Sequence, residues 1–293
     1  MEQAIRERLE ACGLAYDEQN GVFSYEDRFS KIQYKEVETK GLHEEIPVLA
    51  LYTSKPDVDN FNYEGLVSHA YHFYGNDTVV SSVRDSVVNL TPNAEIIENS
   101  MLNSKFTVLS SELILRNGRQ EINDHDICPL ISIMNSYDGS LLLNLGFGLG
   151  IFTQGRLIST ISFRQSLGTY RQIHIRGSNT QMVNVIGDTI ELISTNLPVI
   201  AQQNFNRAIN EDTLLASLDL VESVGKRRRI EISKTLQEIQ QQNQNLTLWD
   251  LFLAITKFSC SERNINAKLI LENVVERLMV LPTEMLNFLK KAA

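Results

Sequence analysis

The spacing of apolar and polar positions changes character twice along the chain. Over residues 2–12, Ile5 and Leu9 fall four apart among charged neighbours, which predicts a short helix ending near Gly13. Two strand patterns follow, at residues 21–25 and 46–52, the second apolar enough to be a core strand. From about residue 66 to 176 the chain reads as β-structure. Ala70 to Tyr74 and Thr78 to Val83 flank the turn cluster Gly75-Asn76-Asp77 and predict a hairpin. Phe106 to Leu109 and Glu112 to Arg116 predict two strands before Asn117-Gly118, a favoured hairpin pair. Pro129 to Asn135 and Leu141 to Leu145 flank Tyr137-Asp138-Gly139, and Leu157 to Phe163 is expected to pair with Tyr170 to Arg176.

Beyond residue 178 the period moves to about 3.6 and no strand pattern remains. Helices are predicted at 180–197, 200–209, 212–224, 227–243, 247–259, 263–281 and 283–291. Thr247 is read as an N-cap with Asp250 three residues on. Trp249 is placed on a buried helix face with Phe252, Ile255 and Phe258. The resulting layout is α+β: an acidic mixed region at 1–64, a β-rich core at 65–178 and a helical region at 179–293, the β-rich part packed against the helices.

Composition narrows the class. The chain of 293 residues is long enough to bury a large core, and its scarce Gly and Pro exclude collagenous or low-complexity chains. Cys12, Cys128 and Cys260 stand more than a hundred residues apart, so they form no disulfide framework and no zinc-ligand spacing; they read as buried thiols in a reducing compartment. The charged start and the absence of a long apolar run predict a soluble protein of the cytoplasm. Net charge is −9, and residues 1–64 alone carry 14 acids against 7 bases. Any contact with nucleic acid must therefore be local.

Two local features point that way. No Asp or Glu occurs in the 49 residues from Gly139 to Gly187, where proportion would place about six. The same stretch holds Arg156, Arg164, Arg171 and Arg176 with His174. On a strand, Tyr170, Gln172, His174 and Arg176 share one face, an aromatic and cationic set suited to single-stranded nucleic acid; an ordinary solvent-facing strand is the plain alternative. Lys226, Arg227, Arg228 and Arg229 then open a helix, where the dipole disfavours cations and an external anion would relieve the cost. The alternative there is a solvated linker balanced by Glu222 and Glu231.

Other chemistry finds less support. Gly146, Gly148 and Gly150 lack the Lys-Ser/Thr of a phosphate loop and read as a strand with a close backbone approach. His69 and His72 would converge only on a helix, and Asp124-His125-Asp126 is the one other arrangement open to a metal. No nucleophile motif appears and no cofactor is expected.

Ile133-Met134-Asn135-Ser136-Tyr137-Asp138-Gly139-Ser140, with Arg156-Leu157 downstream, resembles the Asn-Ser-His-Asp-Gly-Ser signature of a phage and plasmid-related family of unknown function carried by prophages. Leu248 to Thr256 is similar to that family's C-terminal aromatic-Asn-Ala-Val-Thr helix. Tyr137 stands where the family has His, and Leu253 where it has Asn. The resemblance implies a mobile-element origin and a bacterial cytoplasm, and the association of such proteins with replication and recombination genes. Read from its residues alone, Asn135 to Ser140 is a turn in which Asp138 ties backbone N–H groups between two apolar strands.

The function expected is a non-enzymatic single-stranded DNA-binding protein of annealing or recombination type that forms homo-oligomers. A protein-interaction or virion-associated structural component is the second reading, and a metal-dependent nuclease the third.

Overall fold

The structure, a computed structural model, describes residues 3–40, 45–68, 70–122, 125–163, 170–172, 225–242, 246–261 and 264–280, with isolated positions at 199, 202 and 203. Helix α1 (Gln3–Ala11) precedes a five-stranded antiparallel meander of β1 (Ala15–Asp17), β2 (Val22–Glu26), β3 (Lys31–Lys40), β4 (Glu45–Ser54) and β5 (Asn62–Ser68). Ile5 and Leu9 of α1 bury against Phe23, Ile32, Leu49 and Leu51 of this sheet, so the four-residue spacing does the packing it predicted.

Helix α2 (Asn76–Leu90) leads into the second sheet. Its strands are β6 (Ile96–Leu102), β7 (Val108–Leu115), β8 (Gln120–Ile122), β9 (His125–Ser136), β10 (Leu143–Thr153), β11 (Arg156–Phe163) and β12 (Tyr170–Gln172). They lie in the order β11-β10-β9-β7-β6, with β8 on β9 and β12 on β10. Three helices follow: α3 (Lys226–Gln242), α4 (Leu248–Ser261) and α5 (Ile265–Val280). Two antiparallel sheets with a helical C-terminal part make the protein α+β, as the periodicity required.

Several local expectations are corrected. The hairpin at 70–83 is not present: residues 76–90 form α2, because Val79, Val80, Val83 and Val87 repeat at helical spacing and bury on Leu109, Leu113 and Ile131. Their β-branched character favoured a strand, and burial of the stripe overrides it. Residues 108–115 form one strand with every residue buried. Asn117-Gly118 closes no hairpin; a short 3-10 turn there passes the chain to β8, which pairs with β9, and the Asn117 carboxamide bonds Glu95 N and Asn93 O instead. Leu157 to Phe163 and Tyr170 to Gln172 do not pair with each other: both lie against β10, at Phe147–Thr153 and Leu143–Leu145 respectively. The helices expected at 180–197, 200–209, 212–224 and 283–291 fall outside the described residues.

The second sheet is curled. Thr160 on β11 donates a 3.1 Å bond to Glu112 on β7, three strands away. In a flat sheet those backbones would stand roughly 14 Å apart. Curling is allowed because Gly146, Gly148 and Gly150 occupy alternate positions of β10 and leave the concave face bare. At Gly150 a Cβ would lie 2.8 Å from Ile114 Cγ2, so glycine is required by close approach. Helix α5 covers this face, with Ile265 against Val108 and Met134, and Lys268 Nζ 2.8 Å from Glu112 Oε1. Helix α2 covers the opposite face, and that core continues into α3 and α4 through Ile232, Leu236 and Phe252.

Thr247 and Asp250 form the reciprocal cap anticipated at the start of α4: Thr247 N donates to Asp250 Oδ2 at 2.8 Å and Asp250 N to Thr247 Oγ1 at 3.3 Å. Trp249, one residue into the helix, is 1% exposed.

Glu112 is fully buried, so removing its cation strands a charge. Lys268→Met is expected to lower stability by about 3–5 kcal/mol in urea unfolding. Lys268 Nζ also lies 3.6 Å from Oε1 of the buried Glu272, so Glu112→Gln/Glu272→Gln/Lys268→Met should recover most of that loss; a triple variant as unstable as the single would show that the stranded carboxylates are not the source.

Candidate nucleic-acid interface

Helix α3 starts on Gly225, whose carbonyl accepts the backbone N–H groups of Arg228 at 2.9 Å and Arg229 at 3.2 Å. Its first turn holds no acid, so Lys226, Arg227, Arg228 and Arg229 sit at the positive end of the helix dipole without a carboxylate in that turn. Lys226 and Arg227 are exposed, and Arg228 and Arg229 are half-buried. Arg227 Nε reaches Glu231 Oε1 at 3.3 Å one turn on, yet its side chain stays 92% exposed. Such a pair contributes only about 0.3–0.5 kcal/mol and leaves the guanidinium accessible.

Phe258 of α4 closes the far side of this turn. With Gly225, Lys226, Arg227, Arg228 and Glu231 it lines an open groove of about 460 Å³. Residue 258 near the end of α4 faces the start of α3, while Leu253 faces Thr235 and Ile239, so the two helices run antiparallel and the groove is the mouth of their seam. The groove joins cations to a half-buried ring, the pair of features that phosphate contact and base stacking need. The sequence placed Phe258 in the core by its three-residue spacing. It is there in part, and its exposed edge is set by the α3 start folding back over it, which no local pattern carries.

The remaining candidates divide. Arg156 is exposed at the start of β11, just after the two-residue turn Gln154-Gly155, both at positive φ. Tyr170 and Arg171 lie on β12 opposite Leu145 and Asn144; only their backbone is described. Arg164, His174 and Arg176 fall outside the described residues. The structure therefore brings Lys226, Arg227 and Arg228 into one groove, with Arg156 on the strand that α4 and α5 pack against.

The Asn135 to Ser140 motif is a structural joint. Asn135 Nδ2 donates to Tyr74 O and Asn76 Oδ1, holding the start of α2. Tyr137 inserts into the core of the first sheet, stacked on Phe73 with centroids 5.2 Å apart, and its hydroxyl accepts from Asn76 N and donates to Asp27 Oδ2. Tyr34 and Tyr71 donate to the carbonyls of Tyr137 and Ser136. Ser140 N donates to Asp138 Oδ1, the turn bond the sequence suggested.

One cluster escaped the sequence reading. Cys12 and His72, sixty residues apart, meet beside a cavity of about 170 Å³ at the junction of α1, α2 and β10. Sγ lies 3.7 Å from Nδ1 and 3.9 Å from Nε2, almost equidistant, so neither ring nitrogen aims its lone pair at the sulfur. Burial pushes the thiol up and, with Arg8 nearby, pushes the imidazole down. The contact is a neutral packing pair, not a thiolate–imidazolium dyad. Among the described residues no three His, Cys, Asp or Glu side chains converge as a metal site. His125 instead bonds Thr153, while His69 and Asp124 lie outside the described residues.

No protein-family model matches the chain. No curated protein and no solved structure is significantly similar to it.

The joint also fixes how the protein responds to alkali. Desolvation holds the phenols of Tyr34, Tyr71 and Tyr137 well above their usual value and pushes Tyr25 up to about 12. Because the folded values are raised, the contribution is complete below the unfolded phenol pKa of about 10 and is lost as pH climbs toward the folded values. Phenolate absorbance should rise together with loss of secondary structure above about pH 10. Ionisation of all nine tyrosines with the fold intact would contradict this.

Proposed function

We propose that the protein binds single-stranded DNA without catalysis, through the groove at the start of α3, and that it does so as a homo-oligomer in annealing or recombination. The observation that carries the reading is the groove itself: three cations on a helix start whose first turn holds no acid, beside the half-buried ring of Phe258. A helix opening of this kind is destabilised by its own dipole until an anion arrives. Phosphates supply the anion, and the ring supplies a stacking surface indifferent to sequence.

Oligomerisation follows from the charge. A chain of net charge −9 repels a polyanion over most of its surface. Several grooves on one strand convert weak contacts into a stable complex through effective concentration. The resemblance to a prophage-borne family supports a setting in the cytoplasm of a bacterial host, and no helix among the described residues is long and apolar enough to cross a membrane. A protein partner is the second reading, and Ile230 favours it: 61% exposed, it stands directly beside the basic cluster.

Titration of labelled single- and double-stranded oligonucleotides by anisotropy at two salt concentrations tests the proposal. Lys226→Ala/Arg227→Ala/Arg228→Ala should weaken single-strand binding tenfold or more and reduce the log–log salt slope by up to about 2, at roughly 0.7 per lost phosphate contact. Affinity unchanged in the triple variant would assign the cluster to a protein partner.

A further inference from the structure

The α3–α4 seam does not end at the basic groove. About two helical turns farther along α3, where β11 meets the two helices, it opens into a second crevice of about 220 Å³. An apolar cavity of roughly 150 Å³ holds benzene, so this one has room for a single substituted six-membered ring. Its walls are aliphatic: Ile158 from β11, Ile239 from α3 and Leu253 from α4, all half-buried.

Four polar side chains stand in or around it. Ser159 lines the crevice and is 1% exposed, and among the described residues its hydroxyl has no hydrogen-bond partner. A buried hydroxyl in that state costs free energy that a ligand atom would recover. Glu238 and Lys257 stand exposed at the rim, and among the described residues neither has an ion-pair partner. The Thr235 hydroxyl is already spent on Glu231 O, 3.1 Å away.

We infer that this crevice is a nucleobase subsite that takes a cytosine ring from the single strand, an inference that rests on the reading of the basic groove as its phosphate path. The flat ring fills the slot between Ile239 and Leu253. Ser159 donates to an acceptor on the deep edge of the ring, and Glu238, which can only accept, takes the exocyclic N4 amino group. Thymine fits the slot but not the rim, because its one ring donor lies between two carbonyl oxygens that a carboxylate repels. Lys257 and Phe258 are consecutive on α4 and line the two crevices separately, so the ammonium holds the phosphate between a base in the slot and a neighbour stacked on Phe258.

The experiment measures anisotropy for oligocytidylate, oligothymidylate and an abasic strand, all of equal length and charge. It uses the full chain, Glu238→Gln and Lys226→Ala/Arg227→Ala/Arg228→Ala. Glu238 is exposed on α3, so its variant tests recognition with little risk to folding. Cytidylate should bind the native protein roughly threefold or more tighter than thymidylate, and the abasic strand about tenfold more weakly. Glu238→Gln should erase or invert the preference, since a carboxamide can donate to thymine O4. Equal affinity for all three strands, still lost in the triple variant, overturns the base subsite and leaves the phosphate path standing. Failure of the native protein to bind any strand overturns both.

Discussion

One buried carboxylate ties the second sheet and the helical part together. Glu112 on β7 accepts from Asn99 on β6, Thr160 on β11 and Lys268 on α5, so two edge strands and the covering helix converge on two oxygens. A carboxylate with no exposed surface is tolerable only when paired and fully bonded. That condition dictates the curl of the sheet: Thr160 reaches Glu112 only if β11 bends over β10, and β10 permits it only because its concave positions are glycine. Helix α5 is then held by Lys268, α4 packs on α5 and β11, and α3 packs on α4. The seam between α3 and α4 inherits its position from a charge it never touches.

The first sheet is fastened by different means. The β9–β10 turn delivers Tyr137 into that sheet's core, and hydroxyls of Tyr34 and Tyr71 bond back to the turn's carbonyls. Asp27 completes the joint by accepting from Asp77 N at the start of α2, and Arg28 spans Asp77 and Glu98 across the two sheets. Aromatic burial and directed hydrogen bonds act together at this joint, and a second tie lies at the far end of the sheet, where Thr53 donates to Lys105 O and Glu64 pairs with Lys105.

What could be read without coordinates followed from how local each cause is. The α1 stripe, the Thr247–Asp250 cap, the buried Trp249 and the Asp138 turn each depend on residues within four positions, and each is found. Residues 76–90 were misread because Val79, Val80, Val83 and Val87 satisfy both a strand propensity and a helical spacing, and only the sheet beneath decides between them. The pairing of β11 and β12 was misjudged because both compete for one edge of β10, a question of register and not of composition. At the site, the basic run was visible as a charge pattern. Phe258, Ser159 and Glu238 were not, since their arrangement depends on α3 packing on α4 and α4 on β11.

An acidic protein gains from confining its cations. With 14 acids and 7 bases in residues 1–64 and a total of −9, most approach directions are unfavourable to a polyanion. On the proposed reading, a single strand is steered to the basic start of α3, whose first turn holds no acid. Nonspecific contact along the rest of the molecule is suppressed by the same charge. Affinity must then come from contacts other than bulk attraction, which is the circumstance in which a stacking ring and a ring-sized slot beside the cations contribute most.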